Sequence, residues 1–402
     1  MSIDYPTMRA APGGTRRFQN MNSIETVICL ILLFMAMPDL CRKIGRPAMV
    51  NAFFVIFGLG LGLVAQRDVT TMIQQAGEVG FLLVLFEVGL EIELPSFRAF
   101  LPSLRFAAGW WLVQYPLILA LATVAGLPLP QALLASAGLT GCSISMTYPG
   151  WKQYPGLSEP ARAFVLQIMV ALELLAMVVL SVGGVALNSG LVWLILARLA
   201  GMAVMIFLIS RFASHLVRLF QLIIEKTTQW RVHFLVLLVL VICAVGERIG
   251  LSAAKTAFFL GLFMSRAEFH HQRVEEIIAP ISRRFLIPIF FVSLGLMINV
   301  RMLFSYTALL ALCGAFLLIG FRDLIHRRWF KTGGDRETYL LFCPNLTMVA
   351  VAAASLLAAG ARDAATWTVL CGLFLSVAAL SLLPRARDEE IKPAVVAPQG
   401  KD

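Results

Sequence analysis

Apolar runs long enough to cross a membrane follow one another along this chain with only short polar loops between them, and that pattern leaves few folds open. Hydrocarbon offers no water to a backbone N–H or C=O, so a crossing segment must be a helix or a strand of a closed barrel. Runs of about 20 residues select the helix. Bounding the runs by charge, Pro or Gly predicts thirteen spans, at 24–40, 48–65, 77–94, 103–125, 129–149, 160–184, 187–210, 231–247, 251–266, 281–299, 303–323, 338–359 and 363–384. A charged fraction of 14% and a mean hydropathy of +0.84 agree with an all-α polytopic membrane protein whose surroundings are a lipid bilayer.

The formal charge of +10 would suggest nucleic acid in a soluble protein, but here the basic residues stand in short loops, where they report topology. No nucleic-acid partner is expected. Loops after odd-numbered spans carry clusters such as Arg42, Lys43 and Arg46, Lys152 and Arg162, and Arg327, Arg328 and Lys331, and the C-terminal tail adds Arg385, Arg387, Lys392 and Lys401. The opposite side holds Arg9, Arg16 and Arg17 and then only Arg67, Arg248, Arg301 and Arg362. Excess Lys and Arg is retained in the cytoplasm, which predicts an external tail over 1–22 and a cytoplasmic tail over 385–402, with 23–384 as the membrane domain. The first apolar run has no small-residue cleavage site after it, so no removable signal peptide is expected, and the final residues are too few for a soluble regulatory domain. Seven cysteines without a CxxC pair indicate neither a disulfide framework nor a zinc site. No phosphate loop, HExxH or GxSxG appears, so neither an enzyme nor a cofactor site is indicated.

Glu173 lies in the middle of an apolar helix, AFVLQIMVALELLAMVVLSV. Intramembrane acids are costly and by default mark an ion or proton path. Two breakable segments accompany it, LTGCSISMTYPG from Leu139 and CPNLTMVAVAA from Cys343, with Arg322-Asp323 inside another apolar run. Interrupted helices combined with buried charge are the marks of a secondary transporter. Gln167 and Glu173 are six apart and do not share a helix face, so they are not read as a pair.

The stretches GLSAAKTAFFLGLFMS from Gly250, EFHHQRVEEIIAPISRRFLIPIFFVSLGLMIN from Glu268 and GEVGFLLVLFEVGLEIEL from Gly77, and more loosely GRPAMVNAFFVIFGLGLG from Gly45, resemble the monovalent cation/proton antiporter family. That family includes glutathione-gated potassium efflux systems and bacterial sodium/proton exchangers. The resemblance implies two inverted repeats, 23–184 and 231–384, joined by a connector helix and loop over 185–230. It also implies two crossing broken helices, in spans 5 and 12, and a homodimer in the bacterial inner membrane that exchanges Na⁺ or K⁺ for H⁺. In such a family a carboxylate of the sixth span binds cation and proton competitively, and a basic residue of the eleventh balances the crossing. Here those positions resemble Glu173 and Arg322. The sixth span carries Glu in place of the usual Asp, and Leu172 stands where a polar residue commonly precedes it. The Ser/Thr motif of the fifth span is represented by Thr140, Cys142, Ser143 and Ser145.

Arginine cannot be deprotonated at accessible pH, so Arg322 is expected to hold the broken ends or to pair with Glu173 or Asp323 rather than to carry a proton. Pro344, Asn345 and Thr347 are expected to satisfy the second break or to contact the ion. Glu87 and Glu91 share a face of the third span, where Glu87 interrupts an apolar stretch, and Lys255 interrupts the ninth; an ion pair between Glu87 and Lys255 is one reading. Asp323 reads as an edge salt bridge. His233 reads as interfacial, Arg198 as snorkelling or paired, and His270 and His271 as a solvated loop. Two rivals stand beside the antiporter: a non-transporting subunit or sensor on the same fold, and a transporter of another solute. The charge asymmetry makes the first prediction: a C-terminal reporter fusion is active only when its reporter works in the cytoplasm, and activity only outside would overturn the orientation and the odd span count.

Overall fold

The structure, a computed structural model, describes residues 21–91, 97–188, 231–248, 253–264, 268–269, 272–298, 300–332 and 337–384. Arg198, His270, His271, Glu93, most of the seventh span with its connector, and nearly all of both tails lie outside the described residues. Fourteen described α-helices follow one another: α1 (Ser23–Lys43), α2 (Val50–Val64), α3 (Arg67–Glu91), α4 (Phe97–Val124), α5 (Leu129–Thr140), α6 (Ile144–Lys152), α7 (Glu159–Asn188), α8 (Arg231–Arg248), α9 (Ala253–Met264), α10 (Val274–Ile281), α11 (Ile287–Leu296), α12 (Tyr306–Arg328), α13 (Leu346–Ala358) and α14 (Arg362–Leu382). A two-residue ladder, Glu268–Phe269 against Gln272–Arg273, interrupts this order. Among the described residues nine helices are long and apolar enough to cross a membrane. Large apolar side chains such as Ile24, Leu32 and Met35 on α1 and Phe316 and Leu317 on α12 face outward, as lipid-facing surface should.

Two span starts differ most from the sequence reading. The third span begins at Arg67 rather than near 77. Thr70, Thr71, Gln74 and Gln75 hide it from a hydropathy reading, but buried Val69 and Ile73 keep this polar first part docked. The tenth begins at Val274 rather than at 281 and runs through a π-helical turn, Ser282–Leu286, into α11. Buried Val274 and Ile278 anchor the added turns.

The helices form two bodies. Helices α2, α3, α8, α9 and α10–α11 pack together as a panel, while α4–α7 and α12–α14 pack as a core around the broken segments. Glycine sets the panel's spacing. A Cβ added to Gly58 of α2 would collide with the Val292 carbonyl of α11, and one added to Gly295 of α11 with the Val55 carbonyl of α2. The same reciprocity joins α3 and α9, where Gly89 faces the Phe258 carbonyl and Gly261 faces that of Phe86. Exchanging α2 with α9 and α3 with α11 turns one contact into the other, which is the relation expected of inverted repeats. Two tight turns repeat likewise: Gly156 before α7 and Gly360 before α14 have φ of 78° and 75°, a region costly for any residue with a Cβ.

Close backbone approach through small residues is how membrane helices associate. Gly58→Ala is therefore expected to cost about 1–3 kcal/mol of stability, the usual range for overpacking. Gly60→Ala meets nothing within 4 Å and is expected to be neutral. Thermal unfolding of the two purified variants checks this, and equal stability would remove the close contact from the account.

Candidate functional site: two broken helices around Glu173

Each break leaves helix ends in the interior of the core. Helix α5 stops at Thr140, the chain runs extended through Gly141 and Ser143, and α6 starts at Ile144. Gly141 is required by space, since a Cβ there would lie 2.8 Å from both Ala176 Cβ and Met348 Cγ. The second break follows a 3₁₀ turn, Thr338–Phe342, and passes through Cys343, Pro344 and Asn345 into α13. Pro344 brings no N–H to be satisfied, and its carbonyl accepts the Ser143 N–H at 2.8 Å. Hydroxyls join the starts of α6 and α13: Ser143 and Thr347 are 2.6 Å apart, and Ser145 is 3.2 Å from each.

The carbonyl ends of the first halves meet a cation. Arg322 of α12 is fully buried. Its Nη2 donates to Leu139 O at 2.9 Å, its Nη1 to Cys343 O at 3.5 Å and its Nε to Gln114 Oε1 at 2.7 Å. Asn345 Nδ2 donates to the same Leu139 carbonyl at 2.9 Å. The N–H ends of the second halves meet acceptors: the Ile144 N–H donates to Glu173 Oε2 at 3.2 Å, and the Asn345 N–H to Ser376 Oγ at 3.2 Å. Partial charges at helix termini, negative at the carbonyl end and positive at the amide end, account for this sorting of guanidinium and carboxylate. Glu173 and Ser376 occupy matching places in the two halves, each accepting the N–H at the break. Only one half places a carboxylate at its amide end.

Glu173 is wholly buried on α7. Of the other residues singled out from sequence, Ser143, Thr347, Pro344, Asn345 and Arg322 join the crossing. Thr140 and Cys142 have other engagements: Thr140 Oγ1 donates to Ser136 O and Ala137 O at 2.8 and 3.0 Å, and Cys142 Sγ lies 3.4 Å from Leu341 O. Asp323 makes a 2.7 Å ion pair with Arg327 one turn on. Gln167 accepts from Ser103 Oγ at 2.9 Å. Glu87 of α3 is buried and accepts a hydrogen bond from Ser282 Oγ of the π turn. The side chains of Glu91 and Lys255 lie outside the described residues. Gln114, Ser376 and Ser282 were not among the sequence candidates. Gln114 and Ser376 are lone polar residues in apolar helices, a weak signal until the crossing shows what they face, and Ser282 stands beside Arg283 and Arg284, where it reads as part of a polar stretch.

A cavity flanks the crossing on either side, between panel and core. One, of about 190 Å³, is walled by Pro47, Asn51, Glu87, Ser145 and Tyr148. The other, of about 350 Å³, is walled by Gln74, Glu78, Phe81, Ser293, Ala350 and Leu357. The two halves of α3 line the two cavities. Among the described residues no group of three His, Cys, Asp or Glu side chains could hold a metal ion.

Asn345 Oδ1 is buried with no hydrogen-bond partner among the described residues, while the Leu139 carbonyl that its amide serves is also held by Arg322. Asn345→Leu is therefore expected to leave a folded protein with impaired transport. Arg322→Gln is expected to destabilise the fold, since each hydrogen bond from a charged donor is worth about 1.5–3 kcal/mol and the carbonyls it leaves are buried. Thermal unfolding beside flux measurement separates the two. Parental transport in Asn345→Leu, or parental stability in Arg322→Gln, would contradict these roles.

Residues 29–384 match the family model described as sodium/hydrogen exchanger, transmembrane. A Bacillus subtilis (strain 168) protein carrying a Na⁺/H⁺ antiporter name is 26% identical over 318 residues, covering 74% of this chain and 51% of that protein. The high-affinity Na⁺/H⁺ antiporter NhaS3 of Synechocystis is 28% identical over 251 residues, covering 60% of this chain and 52% of that one. The chain thus spans about half the length of these two relatives. The sodium proton antiporter MjNhaP1 of Methanocaldococcus jannaschii shares the fold, with a TM-score of 0.65 at 16% identity over 90% of this chain and 95% of that one. The family model spans nearly the whole chain and the fold is that of a solved antiporter, so this protein belongs to the sodium/hydrogen exchanger family.

Proposed function

We propose that the chain exchanges a monovalent cation, Na⁺ or K⁺, for H⁺ by alternating access, with Glu173 as the group that holds either ion. The observation that carries this reading is the placement of one buried carboxylate at the amide start of α6, with the cation that balances the crossing fixed elsewhere, on the carbonyl ends. Burial penalises the Glu173 charge and the α6 terminus favours it, so neither the ionised nor the protonated form is locked in. Arg322 keeps its charge throughout. The site then bears the same net charge with a proton on Glu173 as with Na⁺ or K⁺ beside it, which favours one-for-one exchange that moves no net charge. Ser143, Ser145 and Thr347 supply oxygens near the carboxylate's helix start, and oxygen ligands suit both cations.

In this reading the core carries the ion past the panel, and the two cavities are the alternating approaches. The repeats are 23–184 and 231–384 with 185–230 as connector. The 190 Å³ cavity lies toward Arg46 and Lys152, on the side that charge asymmetry makes cytoplasmic. The tail over 1–22 is external, 385–402 is cytoplasmic, and the protein works as a homodimer in a bacterial inner membrane.

Reconstituted proteoliposomes test the carrier. Competition for one carboxylate makes apparent cation affinity improve as pH rises, by up to tenfold per pH unit while the proton-bound form dominates. Glu173→Gln is expected to abolish exchange in a folded protein, and Glu173→Asp to retain part of it with altered affinity. Parental transport by the Gln variant would move the carrier to Glu87, Glu91 or Asp323, or end the antiporter reading.

A further inference from the structure

Glu87 has no part in the exchange as derived so far, yet it is the only carboxylate among the described residues in the wall of the cytoplasm-directed cavity and is just 3% exposed. We propose that Glu87, with Asn51 and Ser145, forms a second monovalent-cation site, carried by the panel, at which the cation is held before it passes to Glu173. The inference rests on the exchange reading for the second step only.

Three observations support it. The cavity joins the two bodies: Asn51 and Glu87 belong to panel helices α2 and α3, whereas Ser145 belongs to the first turn of α6. The neighbouring residue of that turn, Ile144, donates its N–H to Glu173, so the cavity ends one residue from the carrier's own contact. Ser145 Oγ is also 3.2 Å from both Ser143 Oγ and Thr347 Oγ1, so a chain of hydroxyls leads from the cavity wall into the crossing. The second observation is the π turn Ser282–Leu286, from which Ser282 donates to Glu87 Oε2. Single π turns inside helices concentrate at functional sites, where the extra residue re-aims a side chain. Here the turn carries the hydroxyl that holds the Glu87 carboxylate. The third is the chemistry of the wall. A carboxylate, a side-chain amide and a hydroxyl are hard oxygen donors, and a volume of about 190 Å³ accommodates a partly hydrated Na⁺ or K⁺. The charge sits on the panel, so it attracts the cation to the interface without travelling with the core, and it leaves the charge of the moving site unaltered.

Equilibrium binding of radiolabelled Na⁺ and of Rb⁺, the latter standing for K⁺, to the purified full chain at alkaline pH tests the site without turnover. Glu173→Gln protein is expected to keep one saturable cation site. Adding Glu87→Gln to it is expected to abolish that site, while adding Glu87→Asp keeps it at lower affinity. In proteoliposomes, Glu87→Gln alone is expected to raise the KM for cation presented on the Arg46 and Lys152 side by roughly three- to tenfold, as for one ion–carboxylate contact in a wet cavity, and to lower the maximal rate far less. The KM from the opposite side should not move. Ser282→Ala, which keeps the carboxylate and removes its anchor, should shift the same KM in the same direction by less, and it serves if the Glu87 variant fails to fold. Residual binding that survives loss of Glu87, or a KM that rises equally from both sides, would overturn the proposal. Failure of the carrier reading looks different: Glu173→Gln alone would then transport at the parental rate.

Discussion

One guanidinium holds together the part of this protein that would otherwise be least stable. Interrupting two helices inside a membrane exposes carbonyls and amides where no lipid can satisfy them. Arg322 reaches the carbonyl ends of both first halves, and Gln114 fixes its third edge. A lysine could not do the same, because a point charge lacks the fork that reaches Leu139, Cys343 and Gln114 at once. With the carbonyl ends held by a charge that never titrates, the amide end of α6 is left to the Glu173 carboxylate. In the proposed exchange the permanent charge supports the fold and Glu173 is the group that meets the ions.

Much of this was legible before the structure. Glu173 and Arg322 stand out because charge in an apolar run is expensive, and both breaks are announced by Gly, Pro and hydroxyl residues clustered inside runs that otherwise have membrane length. What sequence could not supply is the pairing across space. Arg322 could have faced Glu173 or Asp323 on its residue type alone, and only the crossing shows it on Leu139 and Cys343 instead, with Asp323 turned to Arg327. Gln114 and Ser376 escaped notice for the same reason, since a single amide or hydroxyl in a helix normally satisfies itself locally. The start of α3 was missed because its first turns are polar by composition and are kept helical by docking at Val69 and Ile73. Within the hydroxyl motif only the structure separates the members: Thr140 bonds back to its own helix, and Ser145 lies 3.2 Å from Thr347 at the crossing.

The two bodies differ in what their contacts permit. Within the panel, glycines bring backbones into contact at Gly58 and Gly295 and again at Gly89 and Gly261, so these helices cannot slide without losing close packing. Between panel and core, cavities take the place of such contacts on both sides of the crossing. A rigid panel beside a loosely joined core is the arrangement that lets a buried site face one side and then the other. The asymmetry between the halves completes the account. Where one half presents Glu173 to a helix start, the other presents the Ser376 hydroxyl, so a single carboxylate stands in a crossing built twice over.

The central claim is that proton and cation compete for Glu173, and the most direct measurement is proton release on cation binding by purified protein in weakly buffered detergent solution. Adding Na⁺ or K⁺ near the pH at which Glu173 is half protonated should release protons in a saturable manner, by up to one per chain. Glu173→Gln should release none while keeping its fold. Cation binding without proton release by the parental protein, or undiminished release by the Gln variant, would contradict the account.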